Sequence, residues 1–305
     1  MQIAQSLVDA AAEYGFVYIK STGLDLPIEQ VNNAFGVVGD FKEGFNFGTF
    51  KNSKATQPIP SCLEPHQAEL AAFREACHNL CRKLLHLFGI GLEVDPPDFF
   101  ARAHSPTEPS GSILRFLYYP PPSTTPDVRA DDVRAGAHSD YGSVTLLFRL
   151  RGQAGLEILT PSGAWAPVPV CPPGTEDDAA PPVLVNIGDL LSYWTNGLLR
   201  STVHRVVFSD QHQQQQGENT GAGAEPESAT DPRYSIVYFC HPADATPLDP
   251  VPSERVARFG SGLAGANQGN PYAERKVVTA GEHLQMRLQA SYLQLYGGQG
   301  KKEGV

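Results

Sequence analysis

The chain has 305 residues, with 23 basic against 33 acidic side chains, a formal net charge of −10 and 41% hydrophobic residues. That length can bury a substantial core, while the acidic balance and the absence of any Lys/Arg-rich stretch argue against a nucleic-acid partner. No run of 18 or more apolar residues occurs, and the opening "MQIAQSLVDAAAEYGF" lacks the charged-then-apolar layout of a signal peptide, so a cytoplasmic protein with no membrane partner is expected.

In chain order, the first fifty residues read as helix, strand, then helix and loop. Ile3, Leu7, Ala11 and Tyr14 recur at helical spacing, and "GFVYIK" (15–20) is a short strand. Residues 65–88 carry the strongest amphipathic pattern, with Leu70, Phe73, Cys77, Leu80, Cys81, Leu84 and Phe88 on one face. Cys77 and Cys81, with His78 between them, invite a metal reading, but small buried thiols on an apolar face account for them better. The other cysteines, Cys62, Cys171 and Cys240, are scattered, so no disulfide framework is indicated.

"DPP" at 95–97 breaks the helical pattern, and from residue 111 the texture changes. Short β-branched or aromatic runs follow, each bounded by Gly, Pro, Asp or Asn: "SILRFLYY", "SVTLLFRL", "LEILT", "AWAPVPV", "PVLVNIG", "STVHRVVF" and "RYSIVYFC". This spacing predicts an antiparallel sandwich or barrel rather than βαβ units. "PPGTEDDAAPP" (172–182) and the low-complexity stretch 209–231 read as surface loops, the second disordered. Residues 279–296 open with a capping-box pattern, Thr279 then Glu282, and place Leu284, Leu288, Tyr292 and Leu295 on one face of a helix packed against the barrel. The expected organisation is a cap region over 1–110, a core over 111–245 with a low-complexity loop at 209–232, and a C-terminal segment over 246–305 containing the packing helix 279–296.

The chemistry begins in "AGAHSDYGSVTLLFRL" (135–150). On a strand, residues i and i+2 share a face, so His138 and Asp140 can converge on one point. The nine histidines leave His204, in the β-branched run "RSTVHRVVF", as the best third ligand. Two imidazoles and a carboxylate occupy one face of an octahedron and leave positions open, which suits Fe(II) and not a structural zinc. A second i, i+2 pair, Arg233 and Ser235, heads the otherwise apolar "RYSIVYF". A guanidinium entering a core calls for an anion, and its fork matches a carboxylate. A dicarboxylate bound to the metal at one end and to Arg233 at the other satisfies both sites.

Taken in order, "LRFLYYPP", "AHSDYGSVTLLF", "VNIGDLLSYWTNG", "STVHRVVF", "RYSIVYF" and "TAGEHLQMRL" resemble the Fe(II)/2-oxoglutarate-dependent dioxygenase superfamily, in its isopenicillin N synthase-like branch. "YGFVYIKSTGL" and "GDFKEGFNFG" look like its N-terminal region. The resemblance implies an α+β protein, mainly a β core: a double-stranded β-helix, or jelly-roll, with flanking N- and C-terminal helices. It assigns His138, Asp140 and His204 to Fe(II), Arg233 and Ser235 to the distal carboxylate of 2-oxoglutarate, and Tyr119 to the same co-substrate. It further implies O2 as co-substrate, ascorbate as a reductant, and a small-molecule substrate that is hydroxylated, desaturated or cyclised as 2-oxoglutarate yields succinate and CO2. Gly188 and Asp189 are read as turn chemistry and Trp194 as packing. Tyr118 and Phe239 are expected to line the substrate pocket.

Three features depart from the family pattern. The opening strand has no counterpart before "QSLVDAAAEYGF", and "VNNAFG" meets "VVGDFKE" almost directly. Leu117 stands where plant members commonly have Asn, and the Gln-rich loop lengthens the gap from His204 to Arg233. Two alternatives follow: an isopenicillin N synthase-like oxidase that makes no use of 2-oxoglutarate, and an inert relative that acts as a binding protein.

Overall fold

Twelve strands and six α-helices make up the described part of the computed structural model, which covers residues 2–20, 44–120, 133–207, 232–263 and 277–296. The strands are β1 (Phe16–Ile19), β2 (Phe45–Phe47), β3 (Phe50–Lys51), β4 (Lys54–Ala55), β5 (Ile113–Tyr119) and β6 (Val133–His138), then β7 (Val144–Arg149), β8 (Leu156–Leu159), β9 (Trp165–Pro167), β10 (Val183–Ile187), β11 (His204–Val207) and β12 (Arg233–Cys240). The helices are α1 (Gln2–Glu13), α2 (Gln67–Gly91), α3 (Phe99–Ala103), α4 (Asp189–Trp194), α5 (Glu254–Leu263) and α6 (Ala280–Tyr296).

Two antiparallel sheets face each other as the walls of the jelly-roll. The major sheet runs β1-β10-β7-β12-β5-β2 and the minor sheet β6-β11-β8-β9, with β3-β4 a separate hairpin. Every strand run expected between residues 111 and 242 is present, and β6 is added to them. The reason it escaped notice is composition: "VRAGAH" lacks the apolar run that marks a buried strand.

Strand alternation divides the major sheet into two faces. The outer face, with Val144, Leu146, Phe148, Ile236, Tyr238, Leu114, Phe116, Val185 and Ile187, is buried in the main core with α2. Phe73 of α2 meets Phe148 at a ring separation of 5.2 Å, and His78 Nδ1 lies 3.0 Å from the Tyr238 hydroxyl. The expected apolar face of α2 is buried throughout, Cys77 and Cys81 included. The inner face carries Leu147 and Leu184, which pack against Leu156, Val168 and Val206. These residues close one part of the interior, and the rest of this face mixes apolar side chains such as Leu117, Val237 and Phe239 with the polar Arg115, Thr145, Arg149, Asn186, Arg233 and Ser235.

Two helix faces differ from expectation. In α1 the buried residues are Ala4, Val8 and Ala11; of the expected stripe Ala11 is buried and Leu7 half-buried against the core, while Ile3 and Tyr14 are exposed. The small residues let the helix backbone approach: the Ala4 carbonyl oxygen lies 2.4 Å from where a Cβ on Gly91 of α2 would stand. In α6 the capping box forms as expected, since Thr279 N–H donates to Glu282 Oε2 (2.7 Å) and Glu282 N–H to Thr279 Oγ1 (3.2 Å). Leu284 of the expected face is half-buried near Gly111, but Leu288 is exposed, and the buried His283 and the Arg287–Asp189 ion pair share in docking the helix. Tyr292 and Leu295 lie outside the residues whose side chains are described, as do the stretch 209–231 and the "VNNAFGVVGDFKE" junction.

Candidate active site

His138 and His204 are cross-strand neighbours, the last residue of β6 opposite the first of β11. Their rings stand 4.4 Å apart. Asp140 lies beyond the end of β6, in the corner that carries the chain from the minor to the major sheet. The expectation that His138 and Asp140 share one strand face is therefore corrected: a sheet-switching corner and a cross-strand pair bring the three together. Ligand atoms of His138, Asp140 and His204 lie within 4.8 Å of one another, and no other such cluster of His, Cys, Asp or Glu occurs among the described residues.

Hydrogen bonds fix the tautomers. His138 Nδ1 lies 2.7 Å from Gly136 O, and His204 Nδ1 lies 3.1 Å from Thr202 O. A carbonyl only accepts, so each Nδ1 carries a proton and each Nε2 is the ring nitrogen left for a ligand, its lone pair available in the neutral form. Those lone pairs face Asp140 Oδ1 at 4.0 and 3.7 Å, beyond hydrogen-bond reach. Asp140 Oδ2 is occupied separately, by the Asn186 side-chain amide at 2.7 Å. Burial pushes the His204 pKa below its ordinary value, with the Asp140 charge opposing that shift, so the ring is neutral at pH 7. Three electron-pair donors aimed at one point, with nothing between them to donate a proton, are the donor set for a divalent cation.

Behind this cluster Asp189 holds three segments together. Its N–H donates to Asp140 O (2.7 Å), and its carboxylate accepts from Ser139 Oγ (3.1 Å), Ser201 Oγ (2.6 Å) and Arg287 Nη2 (2.7 Å). Turn chemistry alone is thus an incomplete account of Asp189. Gly188 is needed for closeness, since a Cβ there would stand 2.2 Å from Gly142 O and 3.0 Å from Asp140 O. Trp194 packs, as expected, against Phe99 and Phe100, and its indole N–H donates to Asp249 O.

The second pair lies on the inner face of β12. Arg233 is 1% exposed; its Nε donates to Ala154 O (3.1 Å) and its guanidinium lies 5.1 Å from the ring centre of Tyr119, its register partner on β5. Ser235, also buried, stands between Leu117 and Arg149 on the flanking strands. Arg149 was not anticipated from the sequence. Its Nη1 and Nη2 donate to Val168 O and Pro169 O, each at 2.9 Å, which commits it to bracing the loop after β9. Asn186 was missed as well, although an Asn inside the apolar run "VLVNI" was a signal. Tyr118 is corrected: it is one residue from Tyr119 and so on the opposite face, where its ring meets Tyr234 at 5.2 Å. Phe239 does face inward, in register with Thr145.

A jelly-roll holding a two-histidine, one-carboxylate cluster and a buried arginine within one barrel defines the class of non-haem iron oxygenases. The family model of the 2OG-Fe(II) oxygenase superfamily matches residues 110–242. A UPF0676 protein of Schizosaccharomyces pombe is 33% identical, covering 95% of this chain and 88% of its own. The 2-oxoglutarate-dependent dioxygenase htyE of Aspergillus rugulosus is 32% identical over 62% of this chain, and the proline hydroxylase buaE of Petromyces alliaceus 31% over 75%. The chain spans 51% and 61% of the lengths of those two enzymes. Among solved structures, a putative 2OG-Fe(II) oxygenase family protein from Caulobacter crescentus superposes with a TM-score of 0.62 at 26% identity, covering 95% of this chain and 94% of its own. A full-length Neurospora crassa protein solved with alpha-KG shares the fold, with a TM-score of 0.68 at 23% identity, covering 94% and 90%.

The chain belongs to the Fe(II)/2-oxoglutarate-dependent oxygenase superfamily, and these relatives are consistent with its isopenicillin N synthase-like branch. The chemistry of this family uses Fe(II), 2-oxoglutarate and O2. No helix among the described residues is long and apolar enough to cross a membrane.

Proposed function

We propose that His138, Asp140 and His204 hold the Fe(II), that Arg233, Ser235 and Tyr119 hold the distal carboxylate of 2-oxoglutarate, and that the substrate is a small organic molecule that is hydroxylated, desaturated or cyclised. The observation that carries this reading is the convergence of two Nε2 lone pairs on Asp140 Oδ1, with every other polar atom of the three side chains committed elsewhere. All six residues fall within 111–245, the segment proposed as the catalytic core, with 1–110 as cap and 246–305 as the C-terminal segment.

Bound iron supplies O2 activation coupled to decarboxylation of 2-oxoglutarate to succinate and CO2. The residues of the chain do the rest. Gly136 O and Thr202 O hold the Nδ1 protons of His138 and His204, which leaves each Nε2 as the ring atom that would hold the metal, and Asn186 ties up Asp140 Oδ2 so that Oδ1 faces the two Nε2 atoms. Arg233 offers its fork from a buried position where an anion is attracted more strongly than in water. Ser235 adds a hydroxyl donor beside it.

Turnover assays that count succinate against oxidised product test this. One succinate per product, abolished by Ala at His138, Asp140 or His204, is expected. Product without succinate would favour the oxidase alternative, and near-native turnover in any of the three variants would refute the iron assignment.

A further inference from the structure

Three arginines face the interior of the major sheet: Arg233, Arg149 and Arg115. The first is placed at the co-substrate, and the second spends both terminal nitrogens on backbone carbonyls. Arg115 differs from both. Its Nε donates to Asn46 Oδ1 at 2.6 Å, and its guanidinium lies 5.2 Å from the ring centre of Phe239. Among the described residues no carboxylate lies within ion-pair range of Arg115. Its terminal nitrogens carry a positive charge on the inner face of the major sheet.

The inner face of the sheet is accessible to solvent at this end. Asn46 is exposed, Arg115 and Phe239 are half-buried, and the His138 side chain keeps 47% of its surface although it faces inward. The Arg233 end, in contrast, is closed at 1% exposure. Register places the open end beside the metal ligands: Phe239 is opposite Thr145, which is opposite Asn186, the residue bonded to Asp140. Two strand spacings of about 4.8 Å put Phe239 roughly 10 Å from Asn186 across the sheet. Arg115 opposes position 237 of β12, four residues or about 13 Å along the strand from Arg233, so the two serve different ends of the inner face.

We propose that Arg115, seated on Phe239 and held by Asn46, anchors a carboxylate of the organic substrate, which is therefore a small organic acid whose body lies against Phe239 and reaches towards His138. This rests on the placement of iron and 2-oxoglutarate given above. The fork of Arg115 has two free nitrogens to match two carboxylate oxygens, and its contact with Phe239 fixes its plane. Phe239 offers apolar surface to the carbon atoms that follow the acid group.

The test is anaerobic calorimetric titration of the Fe(II)- and 2-oxoglutarate-loaded protein with a set of small aromatic and aliphatic monocarboxylates, each paired with its primary amide, and with thymine as a neutral planar compound. At least one acid should bind with its amide at least tenfold weaker. Arg115→Gln should weaken that acid tenfold or more, and Arg115→Lys less, while both variants keep the wild-type melting temperature and bind 2-oxoglutarate within twofold of wild type. Equal binding of acids and amides, unchanged acid binding in Arg115→Gln, a preference for thymine, or no binding by any acid would each overturn the proposal. Arg233→Gln, titrated alongside, separates the two readings. It should lose 2-oxoglutarate; if it spares 2-oxoglutarate and Arg115→Gln loses it, the co-substrate assignment falls instead.

Discussion

Asn186 shows how much a single amide can control. Its bond to Asp140 Oδ2 decides which carboxylate oxygen faces the histidines, and partners of this kind alter metal affinity by about 10- to 100-fold when removed. Asn186→Ala should weaken Fe(II) binding by that order, measured by competition with a chelator, with little change in melting temperature of the metal-free protein. Wild-type affinity in this variant would show that Asp140 is oriented by other means. Arg233→Lys keeps the charge but loses the fork, so the 2-oxoglutarate requirement should rise at least tenfold while the iron requirement stays fixed. Equal affinity for both would remove Arg233 from the co-substrate.

The elements locate these residues by packing. Phe148 presses the outer face of β7 onto Phe73 of α2 and is 3% exposed, and truncation of such a side chain costs about 3–5 kcal/mol. Phe148→Ala should lower the urea midpoint accordingly, while activity per folded molecule persists because Phe148 points away from the interior. Gly188→Ala should act oppositely: the added Cβ collides with the backbone at Gly142 and Asp140, so iron affinity should fall more than stability. Short β-branched or aromatic runs announced β5 and all of β7 to β12, and the strands of His204 and Arg233 could be read from them. β6 could not, since its residues carry no apolar alternation, and the inward roles of Asn186, Arg149 and Arg115 depend on register across strands distant in sequence. Part of the α1 stripe was misplaced because Ala4 and Val8 are buried by close helix approach, a matter of backbone contact rather than hydrophobicity.

For the molecule as a whole, acid sensitivity follows from buried histidines. Burial is the first cause that pushes His241 and His283 down to about 4; His104 and His283 add to the shift at His241 against the Asp140 charge, while at His283 the Asp189 charge opposes it and Arg287 adds to it. In the unfolded chain each titrates near 6.5, so the unfolded state binds more protons between about 6.5 and 4. Stability is full above that window and is lost as pH falls through it. Melting temperatures of the metal-free protein should drop between pH 7 and 4.5, and His283→Gln should flatten the slope. A slope unchanged by that substitution would assign the acid sensitivity elsewhere.

The site assignment is tested most directly by an anaerobic visible spectrum of the protein with Fe(II), titrated with 2-oxoglutarate. A weak charge-transfer band should grow with the keto acid, require more of it in Arg233→Lys, and be absent in His138→Ala. Iron binding without that band in the wild-type protein, or the full band in His138→Ala, would contradict it.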